Sequence, residues 1–329
     1  MKVSIIGGGS WGVALGQVLV DNKHEILVYD INQNTIDLIN KENKHPFFDC
    51  DISSDIKATN SLQEALDFSD NILLSVPTSV MRNVLNDIAN SINGKKTFIN
   101  VSKGIEPETS LTISQICEEV LKDKIDGFVT LCGPSHAEEV ILRQITALVS
   151  ASNSEKHALL VQQLFSNDQY VRVYTSNDVL GVEACSSVKN AIALISGMAS
   201  GLGHGENARA ALITRGVLEM SLVVDVLGGK RDTVFGLTGI GDLIVTASSL
   251  NSRNFQAGLK LGKGESLDSI LGNSKMVVEG VRVTKSIKNI AEKYDIELPL
   301  ISTLYDVLFN GLKPEEALIK VLSRKLKGE

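Results

Sequence analysis

What the chain lacks narrows its function first. Among its 329 residues, 32 Lys and Arg stand against 39 Asp and Glu, a formal net charge of −7. A protein whose main partner is nucleic acid needs a basic surplus to neutralise phosphates, and here there is none. No apolar run approaches the roughly 20 residues needed to cross a bilayer, so membrane insertion is not expected. The first β-like run starts at residue 3, which leaves no room for a leader peptide and points to the cytoplasm. Cys50, Cys117, Cys132 and Cys185 show no C-x-x-C spacing. They read as small core residues in a reducing compartment, neither disulfides nor metal ligands. His24, His45, His136, His157 and His204 are equally scattered, so no metal site is expected. Internal repeats, low-complexity tracts and disordered linkers are also missing.

What is present is the composition of an ordinary globular protein, 43% hydrophobic and 22% charged, with length enough for two cores. Up to about residue 176 short β-rich runs alternate with helical segments. The runs are 3–6, 26–29, 72–76, 97–101, 128–132, 145–150 and 171–174. Such alternation predicts a Rossmann-like α/β domain over 1–176, with a doubly wound, mostly parallel sheet. From about Asn177 the pattern becomes helical. Long apolar segments at 182–199, 208–226 and 281–294 are separated by glycine loops, and 300–309 and 314–326 follow, the last opened by Pro314. An all-α domain is expected over 177–329, with the tail at 325–329 frayed.

The first run leads into Gly7-Gly8-Gly9-Ser10-Trp11-Gly12 and then a helix-like stretch, so a G-x-G-x-x-G pattern sits between strand and helix. Gly7 permits the tight turn, Gly9 lets the backbone approach a pyrophosphate, and Gly12 lets helix and strand pack closely. The pyrophosphate would rest on unpaired N–H groups at the helix start. Asp30 ends the next run, about 20 residues on, where the acid that binds the ribose hydroxyls belongs. The bland alternative is an ordinary strand–helix turn. Ile31, Asn32 and Gln33 offer no cation for a 2′-phosphate, so NAD is favoured, with NADP still possible. Ligands of such sheets bind beyond the carboxyl ends of the strands, which gives weight to Pro77, Lys103 and Gly133-Pro134-Ser135-His136-Ala137.

In the second half, Gly236–Asn254 reads GLTGIGDLIVTASSLNSRN. A glycine-broken loop delivers Asp242, helical spacing puts Thr246 on the same face, and Ser252-Arg253-Asn254 supplies donors suited to a phosphate ester. Such a loop is otherwise a plain helix connection. Lys189-Asn190 lies inside an apolar helical stretch, where a lysine either snorkels to the surface or is held in a closed site. Beside a dinucleotide domain the second reading gains: reduction of a ketone needs a proton for the oxygen, and a partly desolvated lysine near another cation can supply it. Lys103 is a candidate for that second cation, or an exposed loop lysine. Gly201–Arg209 is a glycine-hinged helix connection in which Asn207 is placed to cap the next helix.

Taken together these stretches resemble the bacterial-type glycerol-3-phosphate dehydrogenases. The runs that carry the likeness are GGGSWG, SKGIEPET, GPSHAEEV, KNAIALISGMASGLGHGENARAALITRG, GLTGIGDLIVT, NSRN and MVVEGV, in that order along nearly the whole chain. The resemblance implies interconversion of dihydroxyacetone phosphate and sn-glycerol 3-phosphate with NAD(P)H, supplying phospholipid synthesis. It also implies a nucleotide-binding domain followed by helices, and a homodimer. It assigns the catalytic role to Lys189 and substrate contacts to Lys103, Gly133, Ser135, Asn190, Asp242, Thr246, Ser252, Arg253 and Asn254. Cofactor contacts fall on Ser10, Trp11, Lys103, Ala137, Arg253, Val277 and Glu279, beside Gly7, Gly9, Gly12 and Asp30.

Two departures stand out. Asp30-Ile31-Asn32 replaces the basic residue usual after the second strand, and Cys185-Ser186-Ser187-Val188 replaces a glycine-containing stretch. Two rivals have specific objections. A β-hydroxyacid or 6-phosphogluconate dehydrogenase usually separates its catalytic lysine and asparagine by several residues, and here they adjoin. A non-catalytic dinucleotide sensor would be expected to have lost Lys189, Asp242 or Arg253.

Overall fold

A computed structural model describes residues 1–272 and 278–323. The chain forms two compact units, one made of Met1–Lys103 with Thr112–Val182, the other of Gly104–Leu111 with the chain from Glu183 onward.

The first unit is built on eight strands: β1 (Lys2–Ile6), β2 (Glu25–Tyr29), β3 (Lys57–Thr59), β4 (Asn71–Leu74), β5 (Lys96–Asn100), β6 (Ile125–Cys132), β7 (Thr146–Ala151) and β8 (Val171–Ser176). They form one sheet in the order β3-β2-β1-β4-β5-β6-β7-β8, parallel throughout except where β7 runs against β6. Central strands are apolar on both faces, as in the buried run Ile72–Leu74 of β4, because helices cover both sides. Helices α1 (Ser10–Asp21), α6 (Ala137–Val140) and α7 (Glu155–Phe165) pack together, and α3 (Leu62–Phe68), α4 (Thr78–Ser91) and α5 (Ile113–Leu121) form a second group. The short α2 (Gln33–Asp37) follows β2. This is the doubly wound sheet the sequence pattern predicts. Strand β3 escaped that pattern: its three residues, Lys-Ala-Thr, lie at the sheet edge and bury only Ala58, too short a run to show a period.

From Glu183 onward the described part of the second unit is helical, with α8 (Val179–Gly201, its first four residues in the first unit), α9 (Glu206–Val226), α10 (Asp242–Ala247), α11 (Arg253–Gly262), α12 (Leu267–Gly272), α13 (Glu279–Tyr294), α14 (Pro299–Phe309) and α15 (Pro314–Leu322). Residues 324–329, with the expected frayed tail and the end of the expected 314–326 helix, lie outside the described residues. Helix α9 starts on Gly205, and Asn207 falls inside it instead of capping it; Glu206 occupies the first turn, where its charge complements the helix dipole. The carboxylate of Glu219 on α9 accepts from the backbone N–H groups of Leu300 (2.6 Å) and Ile301 (3.0 Å), satisfying the start of α14. The second core also takes in Ile105, while Ser286 on α13 donates to the Ile105 carbonyl at 2.8 Å.

Helix α8 corrects one expectation. It contains an 18-residue stretch long and apolar enough to cross a membrane, and 94% of that stretch is buried inside the protein. A helix that is apolar all round is what the middle of a core requires.

That helix meets α11 at unusually close range. A Cβ on Gly197 would strike the Phe255 carbonyl, and one on Gly258 the Leu194 carbonyl; Gly201 and Gly262 stand against each other one turn further on. Two G-x-x-x-G stripes thus let the two backbones touch, and this contact sets the N-terminal end of α11 beside the middle of α8.

Candidate active site

In the first unit, β1 passes into α1 through the glycine turn. Gly7 adopts φ +111°, a region that L side chains rarely enter, and a Cβ there would strike the Ser75 carbonyl. A Cβ on Gly12 would strike the Gly7 carbonyl, so helix and turn pack as closely as the motif predicts. Gly9 caps α1 in an extended conformation, and a Cβ on it would meet nothing within 4 Å. The turn is therefore crowded at Gly7 and Gly12 and open at Gly9. Asp30, one residue past β2, lies directly against it: Oδ2 accepts from the Gly8 N–H at 2.8 Å and Oδ1 from the Asn32 N–H at 2.7 Å. Ser10 opens α1, and the indole N–H of Trp11 beside it is buried with no hydrogen-bond partner among the described residues. An open backbone, unpaired N–H groups at a helix start, an unused buried donor and an adjacent acid fit a dinucleotide.

Further along the sheet, Lys103 follows β5, and its Nζ donates to the Gly133 carbonyl at 3.4 Å. Gly133 comes directly after β6, and Ser135 Oγ donates to the same carbonyl at 3.1 Å. A Cβ on Gly133 would come within 2.7 Å of the Ala147 carbonyl, so a larger residue would push this loop off the sheet. Ala137 begins α6 and is buried. These residues stand together at carboxyl ends of strands, where ligands of such sheets bind.

The second unit holds a buried ion pair. Lys189, in the middle of α8, is 4% exposed and Asp242 is 0% exposed. Lysine Nζ donates to Asp242 Oδ1 at 2.6 Å and to Thr246 Oγ1 at 2.6 Å, while the Thr246 hydroxyl donates to the Asp242 carbonyl at 2.6 Å. Of the two readings open to this lysine, the structure excludes snorkelling. Asp242 and Thr246 share one face of α10, as their spacing predicts. Their delivery is not by a loop, however. Leu237–Gly241 forms a wide helical turn, with Gly241 N–H donating to the carbonyl five residues back at 3.2 Å, and runs straight into α10. Single turns of this π type recur at functional sites.

Beside the ion pair runs a chain of amides. Asn254 Nδ2 donates to Asn190 Oδ1 at 2.9 Å, and Asn254 Oδ1 accepts from the Gly280 N–H at 2.8 Å. Neighbours of Lys189 on α8 and of Arg253 on α11 are thereby bonded directly, and both are tied to the start of α13, where Glu279 lies. Gly280 has to be small, since a Cβ would come within 2.7 Å of the Asn190 carbonyl. Ser252 caps α11 by accepting from the Phe255 N–H at 3.2 Å, while Arg253 is exposed. Val277 lies outside the described residues. In the departure ahead of Lys189, the hydroxyls of Ser186 and Ser187 donate to the Glu183 carbonyl, so two serines sit satisfied inside a closed core. Sequence reasoning missed the α8–α11 glycine contact, though the spacing of Gly197, Gly201, Gly258 and Gly262 was visible, and it missed Gly280.

Two family models cover most of the chain. That for the NAD-dependent glycerol-3-phosphate dehydrogenase N-terminus matches residues 2–158, and that for the C-terminus matches residues 178–319. The chain belongs to the NAD-dependent glycerol-3-phosphate dehydrogenase family. Among its relatives, a glycerol-3-phosphate dehydrogenase [NAD(P)+] of Acholeplasma laidlawii is 54% identical over 330 residues, covering 100% of this chain and 99% of that one. One from Phytoplasma mali is 48% identical, with the same coverage. A crystal structure of the Coxiella burnetii glycerol-3-phosphate dehydrogenase superposes with a TM-score of 0.93 at 32% identity, over 98% of this chain and 99% of that one. Membership agrees with what the residues suggest separately, a glycine turn with its acid in one unit and a buried lysine–carboxylate pair in the other.

Proposed function

We propose that this protein interconverts dihydroxyacetone phosphate and sn-glycerol 3-phosphate with NAD(P)H as cofactor. One observation carries the reading. The Lys189 ammonium is taken out of water and aimed by Asp242 and Thr246, an expensive arrangement that a merely structural core would not need. Family membership over the whole chain supplies the substrate class.

Residues 7–12 and Asp30 hold the cofactor, with Ser10, Trp11, Lys103, Ala137, Arg253, Val277 and Glu279 as further contacts. When bound, the cofactor supplies the hydride that C2 of the ketone accepts. Lys189 donates a proton to the C2 oxygen in reduction and takes it back in oxidation. Asp242 keeps the amine charged and pointed, and Thr246 fixes its orientation from a second side. Arg253 and Asn254, with Ser252, hold the phosphate; Lys103, Gly133, Ser135 and Asn190 orient the carbonyl end. Positioned charge together with acid–base transfer is the source of rate.

Asp30 favours NADH over NADPH, because its anion is pinned beside the turn by two backbone N–H groups and would repel a 2′-phosphate. The product feeds phospholipid synthesis in the cytoplasm, and the protein works as a homodimer. Following NADH absorbance with dihydroxyacetone phosphate, against NAD reduction with 3-hydroxyisobutyrate, tests the reading. Turnover with the first substrate pair is expected; turnover only with the second would assign the chain to β-hydroxyacid chemistry, and turnover with neither would leave a cofactor-binding protein without this reaction.

A further inference from the structure

Gly8, the middle residue of the glycine turn, is held by side chains at both of its polar groups. Its N–H donates to Asp30 Oδ2 at 2.8 Å, and its carbonyl oxygen lies 2.9 Å from Nε2 of His45. His45 is 3% exposed. Its Nδ1 accepts from the Phe47 N–H at 3.4 Å, which places the ring proton on Nε2 and makes the contact with Gly8 a donated hydrogen bond. Burial pushes the imidazole below its ordinary pKa, against the opposing pull of the Gly8 carbonyl and Asp30, so the ring is neutral. Phe47 and Phe48 flank it at centroid distances of 5.5 and 5.0 Å, and Phe48 packs against the first unit's core. Gly8 leaves no space for a side chain, since a Cβ would come within 2.8 Å of Asp30 Oδ2.

A trans peptide is planar, so the carbonyl of one residue and the N–H of the next point in opposite directions. Drawing the Gly8 oxygen toward His45 therefore turns the Gly9 N–H away from His45, at the one glycine of the turn whose Cβ position is open. We propose that His45 is a positioning residue for cofactor binding: its Nε2–H bond to the Gly8 carbonyl sets the Gly8–Gly9 peptide so that the Gly9 N–H is presented to the cofactor pyrophosphate. Asp30 locks the other side of the same residue, so turn, acid and imidazole form one assembly. The inference rests on the assignment of residues 7–12 to the cofactor, and it adds two residues, Gly8 and His45, that the G-x-G-x-x-G pattern does not name.

The test compares near-isosteric replacements in the full-length protein. His45→Met removes the donor, whereas His45→Gln puts an amide N–H at similar reach; His45→Phe replaces the Met variant should that one not fold. NADH and ADP-ribose are titrated by fluorescence and calorimetry, alongside steady-state kinetics. The donor-free variant is expected to bind both ligands about tenfold more weakly, the effect of one hydrogen bond. The two ligands should lose by the same factor, because ADP-ribose keeps the pyrophosphate and lacks the nicotinamide. Turnover at saturating NADH and KM for dihydroxyacetone phosphate should stay within about twofold, and His45→Gln should recover most of the lost affinity. Unchanged NADH affinity in the donor-free variant would overturn the inference, as would a Gln variant no better than Met. Gly9→Val separates the two levels: if it binds NADH like the native protein, the turn is not the cofactor's seat and both readings fall, whereas its loss of binding with His45→Met unaffected removes only the role of His45.

Discussion

Exchanging Asp242 for Asn tests the centre of the proposed chemistry. The carboxylate is wholly buried, its partner Lys189 nearly so, and the two meet at 2.6 Å. Asparagine has the same shape and still offers an oxygen, so the change removes a charge and little else. Depriving a buried pair of one partner costs about 3–5 kcal/mol, since the other buried charge loses the compensation that partner gave it. A lysine in that position relieves part of the cost by shedding its proton, which removes the acid needed for reduction. Reduction of dihydroxyacetone phosphate at pH 7 should therefore slow by about a hundredfold or more in kcat, with KM for NADH little changed. The rate deficit should narrow as the pH is lowered and the ammonium returns. Taking the low end of the cost, about 3 kcal/mol at roughly 2–4 °C per kcal/mol, the melting midpoint should drop by about 6–12 °C. A Lys189→Met/Asp242→Asn double variant, with neither charge, should be inactive yet melt above Asp242→Asn alone. Turnover within about threefold of native in Asp242→Asn, or a double variant less stable than both singles, would refute the argument.

Three further outcomes are expected. Gly258→Ala drives a methyl into the Leu194 carbonyl; overpacking of this kind costs about 1–3 kcal/mol, so thermal unfolding should shift down and activity fall, and a neutral result would mean that α8 and α11 are not in backbone contact. Asp30 predicts kcat/KM higher for NADH than for NADPH, and Asp30→Ala should narrow the gap; a native preference for NADPH would refute the role given to that carboxylate. Asp21 is partly desolvated, which raises its pKa, but hydrogen bonds from Arg143, Tyr170 and Gln17 outweigh burial and hold it below the ordinary range. Its folded pKa being depressed, the stabilisation is present above the unfolded value of about 3.9 and disappears as pH falls through the folded value. Asp21→Asn should thus lower the urea midpoint at pH 7, with the difference shrinking below about pH 4; a difference independent of pH would contradict this.

Local pattern carried much of this protein in plain view. Strand–turn–helix chemistry around Gly7–Gly12 is dictated by neighbours in sequence, as are the alternation of strands and helices and the i, i+4 pairing of Asp242 with Thr246, because backbone sterics and helical period act over a few residues. Position 189 was ambiguous at that level, since a lysine in an apolar helix is compatible with both a surface and a core. Only packing settled it, by bringing a carboxylate from 53 residues away to within 2.6 Å. The same holds for Asn190 and Asn254, joined across 64 residues because glycines let α8 and α11 touch, and for His45, which belongs to no sequence motif and bonds to Gly8 from 37 residues away. Conformational preferences of the backbone are written residue by residue; the partners of a buried polar group are chosen by which helices and loops can be closed around it, and that is a property of the folded whole.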